Sequence, residues 1–184
     1  MGTPTIWTIG HSTRAIEDFL QLLTTQRIER LADVRLIPFS RRNPQFNHEA
    51  LRESLSRDGI VYLPVPGLGG RRTPRPDSPN RGWRNASFRG YADYMQTDEF
   101  SRALEELMVG SKKHRTAIMC AEAVPWRCHR SLISDALVSA GWDVCHIVSK
   151  AQPKPHELTS FAKLTHGRLI YPGSQDDEPA GRLF

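Results

Sequence analysis

Short, nearly continuous apolar runs recur along the chain, at residues 5–9, 31–34, 60–65, 116–119, 144–148 and 168–171. Several lack clean alternation of polar and apolar positions, the pattern of strands covered on both faces. Between them apolar residues repeat at helical spacing. Ile16, Phe19, Leu20 and Leu23 give a first helix its buried stripe; Asn47 is placed to cap a second that runs to about Arg57; Thr97, followed by Asp98 and Glu99, opens a third toward Met108. Leu132, Ile133, Ala136, Leu137 and Ala140 form the stripe of a helix over 131–140, stopped by Gly141, and Pro155 starts a last helix that ends before Gly167. The alternation predicts an α/β fold, a single domain over residues 1–172 with a mainly parallel sheet of about five to six strands flanked by helices on both faces. Residues 173–184 read as a polar, mobile tail.

In such a sheet the segments after the strands converge on its carboxyl edge, where ligands bind. Here they are rich in polar and cationic groups. Gly10-His11-Ser12 follows the first run, Asp33-Val34-Arg35 closes the second, and Gly67-Leu68-Gly69-Gly70 follows the third. The fourth leads into Cys120-Ala-Glu-Ala-Val-Pro-Trp-Arg-Cys-His-Arg130, which packs two thiols, a carboxylate, an imidazole and two guanidinium groups into one turn.

Composition adds constraints. The 39% hydrophobic and 24% charged residues are ordinary for a globular protein. No apolar run approaches the ~20 residues that cross a bilayer, and the start lacks the charged and apolar regions of a secretion signal, so the expectation is a cytoplasmic chain without a membrane partner. Three cysteines, an odd number, argue against a disulfide framework. Of the net charge of +5, much sits in the stretch 67–86, where Arg71, Arg72, Arg75, Arg81 and Arg84 face only Asp77. Its prolines and glycines predict an irregular loop, placed to clamp an anion, with Trp83 available to stack on a base or ring.

A thiol becomes nucleophilic when neighbouring cations or a helix N-terminus lower its pKa. Cys120 and Cys128 are the candidates, with Glu122 and His11 for proton transfer and Ser12, Asp33, Arg35, Gly69, Gly70, His129 and Arg130 for binding a substrate. A phosphatase loop places Arg six positions after Cys, whereas Arg127 stands seven after Cys120. Structural zinc sites space their ligands Cys-x2-4-Cys, a closer step than Cys120 to Cys128, so no metal is assigned. The glycine run lacks the Walker and dinucleotide-binding endings.

Thr8-Ile9-Gly10-His11-Ser12, Asp33-Val34-Arg35, Leu68-Gly69-Gly70, Tyr91 and Cys120-Ala-Glu122 with Cys128-His129-Arg130 together resemble domain-of-unknown-function family 488 of bacteria and archaea, over about residues 5–150. The resemblance implies an enzyme without naming its reaction. The leading expectation is an enzyme acting on an anionic small molecule, nucleotide-like in one form, with Cys120 and Glu122 reactive and Arg35 and Arg130 holding the anion. The alternatives are a nucleic-acid or nucleotide-binding module that uses the Arg-rich loop, and a thiol-based redox or metal sensor. Cofactor and oligomeric state stay open.

Overall fold

The computed structural model describes residues 2–173; the tail expected at 173–184 lies outside the described residues from position 174 onward. Five of the apolar runs become β1 (Thr5–Gly10), β2 (Arg30–Asp33), β3 (Val61–Pro64), β4 (Thr116–Cys120) and β5 (Asp143–Ile147). They form a parallel sheet in the order β3-β2-β4-β1-β5, and β6 (Lys154–Pro155) adds an antiparallel edge beside β5.

The helices are α1 (Ile16–Thr25), α2 (His48–Arg57), α3 (Ala86–Tyr94), α4 (Asp98–Ser111) and α5 (Arg130–Ser139). Because side chains alternate across a strand, the sheet builds two cores. Trp7, Ile9, Leu31, Ala117 and Met119 pack with Phe19, Leu23, Leu51 and Leu55 of α1 and α2; Ile6, Ala32, Ile118 and Cys120 pack on the other face with Tyr91, Leu104, Leu132 and Ile133 of α3 to α5. The chain therefore leaves β1 and β2 toward one face and leaves β3 and β4 toward the other. Since β4 lies between β1 and β2 in the sheet, the loops on either side of it part, and a crevice opens at its carboxyl end.

Local chemistry differs from the sequence expectation at four places. Asn47 stands at the N-cap of α2, but its side chain accepts from Ser40 N at 2.6 Å and so pins the loop after β2 rather than capping the helix. Helix α3 escaped the pattern because the Arg- and Pro-rich stretch runs into it; Asn85 caps it, accepting from Ser87 N at 2.8 Å. No helix forms between Pro155 and Gly167. His156 and the backbone N–H of Thr159 instead bind the Asp135 carboxylate, which draws this segment onto α5. Finally, residues 168–171 do not join the main sheet: β7 (Lys163–Thr165) and β8 (Arg168–Ile170) pair as a separate antiparallel hairpin. His166 and Gly167, with φ of 50° and 75°, make the tight turn between them, so Gly167 is a hairpin residue and not a helix stop.

Gly10 binds β1 to the turn after β4. A Cβ at that position would lie 1.8 Å from the carbonyl oxygen of Glu122. The two backbones continue in contact past the sheet, with His11 N donating to Cys120 O at 3.0 Å and Ser12 N to Ala121 O at 2.8 Å. Gly10→Ala should therefore lower stability by about 3 kcal/mol or more, since backbone rather than a flexible side chain must give way; thermal melts of the two proteins check this, and equal midpoints would contradict the close approach.

Candidate functional site

The crevice holds a cavity of about 650 Å³ lined by His11 and Ser12 after β1, Arg35 and Phe39 after β2, Gly70 and Arg71 after β3, and Cys120, Glu122, Arg127, Cys128 and His129 around the turn after β4. Of the residues singled out from sequence, Asp33, Gly69 and Arg130 lie outside this lining. The rest converge.

Cys120 ends β4, and a 3-10 turn over Pro125–Arg127 brings the chain back so that Cys128 precedes α5. Both cysteines are buried and free. His129 Nδ1 lies 3.9 Å from Cys120 Sγ and 3.7 Å from Cys128 Sγ, while Nε2 faces the Val34 carbonyl at 3.2 Å. A carbonyl only accepts, so Nε2 carries the proton of the neutral ring and the Nδ1 lone pair points at the sulfurs. Beneath them Arg130 Nε donates to Cys128 Sγ at 3.4 Å. The surroundings of the two thiols differ: a hydrogen bond from Cys120 holds the Cys128 pKa well below the ordinary thiol value, against the opposing effect of burial, with the Arg130 guanidinium adding to the shift. Cys120 is pushed up as the donor of that bond and by its own burial. Both thiols singled out from sequence therefore stand at the cavity.

Arg130 is 1% exposed, and no carboxylate among the described residues is paired with it. Its Nη2 donates to the Glu122 carbonyl, and its Nη1 donates to Thr8 Oγ1 at 3.5 Å. Thr8 lies 2.7 Å from His146 Nδ1, His146 Nε2 lies 3.0 Å from His156 Nδ1, and His156 Nε2 lies 2.8 Å from Asp135 Oδ1. The ends decide the polarity of this relay, because a guanidinium only donates and a carboxylate only accepts. Thr8 O–H donates to His146, His146 to His156, and His156 to Asp135. Tyr171 O–H also donates to Asp135, at 2.9 Å. Arg130 and the Asp135 carboxylate are thus linked by hydrogen bonds across β1 and β5. Apart from Thr8, which belongs to the Thr8-Ile9-Gly10-His11-Ser12 motif, the relay residues His146, His156, Asp135 and Tyr171 carry no signal in their spacing, since each comes from a different element.

Asp33 and Arg35 form a second buried unit. Arg35 Nη2 reaches Asp33 Oδ2 at 2.6 Å and the Phe46 carbonyl at 2.8 Å, and Tyr62 O–H donates to Asp33 at 2.6 Å. Arg35 Nη1 donates to His11 Nε2 at 3.2 Å, and His11 Nδ1 donates to the Ser12 carbonyl at 2.8 Å. Burial lowers the His11 pKa to about 4. Both ring nitrogens of His11 are engaged within the protein, and Nε2 helps to position Arg35. Asp33 likewise positions Arg35 and does not face the cavity. Only one Arg35 N–H, on Nη1, is left for a ligand.

The loop 67–86 is anchored from within. Asp93 accepts from Arg75 N at 2.8 Å, Ser78 Oγ at 2.6 Å and Asn80 Nδ2 at 2.8 Å. Trp83, expected to stack on a ligand, packs among Phe88, Phe161 and Tyr171 instead. Arg72 lies over the Tyr94 ring at 3.6 Å. Arg71, held at φ 60°, lines the cavity.

A family model, Domain of unknown function DUF488, matches residues 15–137, two thirds of the chain. The chain belongs to this DUF488 family. The matched region holds every element from α1 to nearly the end of α5, including the Cys120 to Arg130 turn. No curated protein and no solved structure matches the chain.

The relay makes a pH prediction. Burial, aided by His156 and the Arg130 charge, lowers the His146 pKa to about 4 from 6.5. A depressed histidine takes up its proton more readily when unfolded, so stability is full above pH 6.5 and is lost as pH falls through 4. The loss from this group approaches about 3 kcal/mol, and NMR titration should show His146 ionising near 4; a midpoint near 6.5 would contradict the relay. At neutral pH, Thr8→Val leaves the Arg130 and His146 ends unpaired and should cost about 1–3 kcal/mol in denaturant unfolding.

Proposed function

We propose that this DUF488 chain is an enzyme acting on an anionic small molecule in the cavity at the carboxyl edge of the sheet, with Cys120, Cys128 and His129 as its reactive centre. The observation that carries the reading is a buried guanidinium that donates to a sulfur in place of a carboxylate, directly beneath an open cavity. A structural thiol needs no such partner. Glu122, on the cavity lining and exposed, is the proton acceptor in this reading.

The anion-holding role shifts from the residues favoured by sequence. Arg130 directs its Nε, Nη1 and Nη2 donors into the protein and Arg35 retains one N–H, whereas Arg71 and Arg127 are exposed and line the cavity. Phe39 and Phe88 line it as well and offer faces to a ring. Cations and aromatic faces in one cavity support a nucleotide-like ligand. In the alternative nucleic-acid reading, exposed Arg75, Arg81 and Arg84 make the contacts; Trp83, packed inward, does not assist them.

Calorimetry with inorganic phosphate and the nucleoside monophosphates tests the proposal. One of these probes should bind, Arg127→Ala should weaken it about tenfold, equivalent to ~1.4 kcal/mol, and Arg84→Ala should leave it unchanged. Cys128→Ser should keep the binding and abolish turnover. If none of these probes binds, while a single-stranded oligonucleotide binds with a steep salt dependence that Arg81→Ala and Arg84→Ala reduce, the nucleic-acid reading replaces this one.

A further inference from the structure

The geometry points to a metal site: we infer that Cys120 Sγ, Cys128 Sγ and His129 Nδ1 bind a divalent ion of the zinc class, with the fourth coordination position facing the cavity. The three ligand atoms lie within 4.8 Å of one another. Tetrahedral zinc with sulfur and nitrogen at its usual bond lengths separates those atoms by about 3.6 Å. The observed 3.9 Å and 3.7 Å from Nδ1 to the two sulfurs are within a few tenths of an ångström of that. Two thiolates and one imidazole make a soft, nitrogen-containing set that favours zinc over magnesium or calcium.

The surroundings fit the same role. His129 Nε2 donates to the Val34 carbonyl, which fixes the ring and its tautomer as outer partners of a ligating histidine do. Arg130 Nε donates to Cys128 Sγ and offsets the charge that two thiolates bring to a divalent ion. Gly70 leaves room for the ligand atom, since a Cβ there would stand 2.9 Å from His129 Nδ1. The spacing rule that spoke against a metal applies to ligands on one continuous knuckle. Here one thiol ends β4 and the other precedes α5, and the fold closes the distance. Because all three ligands line the cavity, the site has the three-ligand form of catalytic zinc rather than the closed four-ligand form of structural zinc. A water in the open position would be acidified beside Glu122. The inference deepens the proposed function, giving it metal-assisted hydrolysis of the anionic substrate, and rests on that function only for the substrate.

Cobalt(II) titration of the chelator-treated full chain, kept reduced, is the test. One ion should bind per chain, with thiolate-to-cobalt charge-transfer absorption in the near ultraviolet and the strong visible bands of a four-coordinate ion. Cys120→Ser, Cys128→Ser and His129→Gln should each weaken binding at least about tenfold, while Cys145→Ser should match the wild type; circular dichroism confirms that each variant is folded. Absence of charge-transfer absorption in the wild type, or its persistence in both Cys120→Ser and Cys128→Ser, overturns the site. The two levels separate cleanly: Arg127-dependent phosphate or nucleotide binding without a cobalt spectrum overturns the metal alone, and a cobalt spectrum without binding of any anionic probe supports the metal and overturns the anionic-substrate reading.

Discussion

The site depends on a positive charge buried without a carboxylate beside it. Arg130 lies under the turn after β4, and its direct partners are a sulfur, a hydroxyl and a backbone carbonyl. An uncompensated charge in such surroundings costs several kcal/mol, and the protein meets that cost in two ways. A chain of hydrogen bonds through Thr8, His146 and His156 links it to the Asp135 carboxylate, and the Cys128 sulfur accepts directly from its Nε. The same guanidinium donates to the Glu122 carbonyl, so the Cys120 to Arg130 turn and the buried charge beneath it form one unit.

Sheet topology places that unit. With β4 inserted between β1 and β2, the helices that follow β4 and its neighbours go to opposite faces, and the Cys120 to Arg130 turn stands alone at the parting. The loops from β1, β2 and β3 then wall the cavity, and two close glycine contacts, Gly10 against Glu122 and Gly70 against His129, set how tightly they approach. The hairpin of β7 and β8 and the segment before it close the far end of the relay through Tyr171, Thr159 and Asp135. Elements remote from the cavity in sequence thus complete the hydrogen-bonded chain that ends on Arg130.

The parallel sheet, its two helical faces and the convergence of four loop segments were legible from the sequence, because unbroken apolar runs and helical spacing record burial directly. Cys120, Cys128, Glu122 and His129 were legible as a cluster because they share one turn. What was not legible depends on tertiary partners. The segment after Pro155 carries helix-compatible residues yet is held open by Asp135, and Asn47 has a capping side chain that Ser40 uses instead. The different surroundings of the two thiols, and the internal use of Arg35, His11 and Asp33, rest on distances that residue order does not encode.

The most direct test of the account is the ultraviolet absorbance of the Cys128 thiolate in the metal-free chain, taken as the difference between wild type and Cys128→Ser across a pH titration. A thiolate is expected already at neutral pH, with a midpoint well below the free-cysteine value of about 8.5, and that midpoint should rise in Thr8→Val as the relay loses its hold on Arg130. A Cys128 midpoint at or above 8.5 in the wild type, unmoved by Thr8→Val, would contradict the claim that Arg130 and its relay hold an anionic sulfur at the cavity.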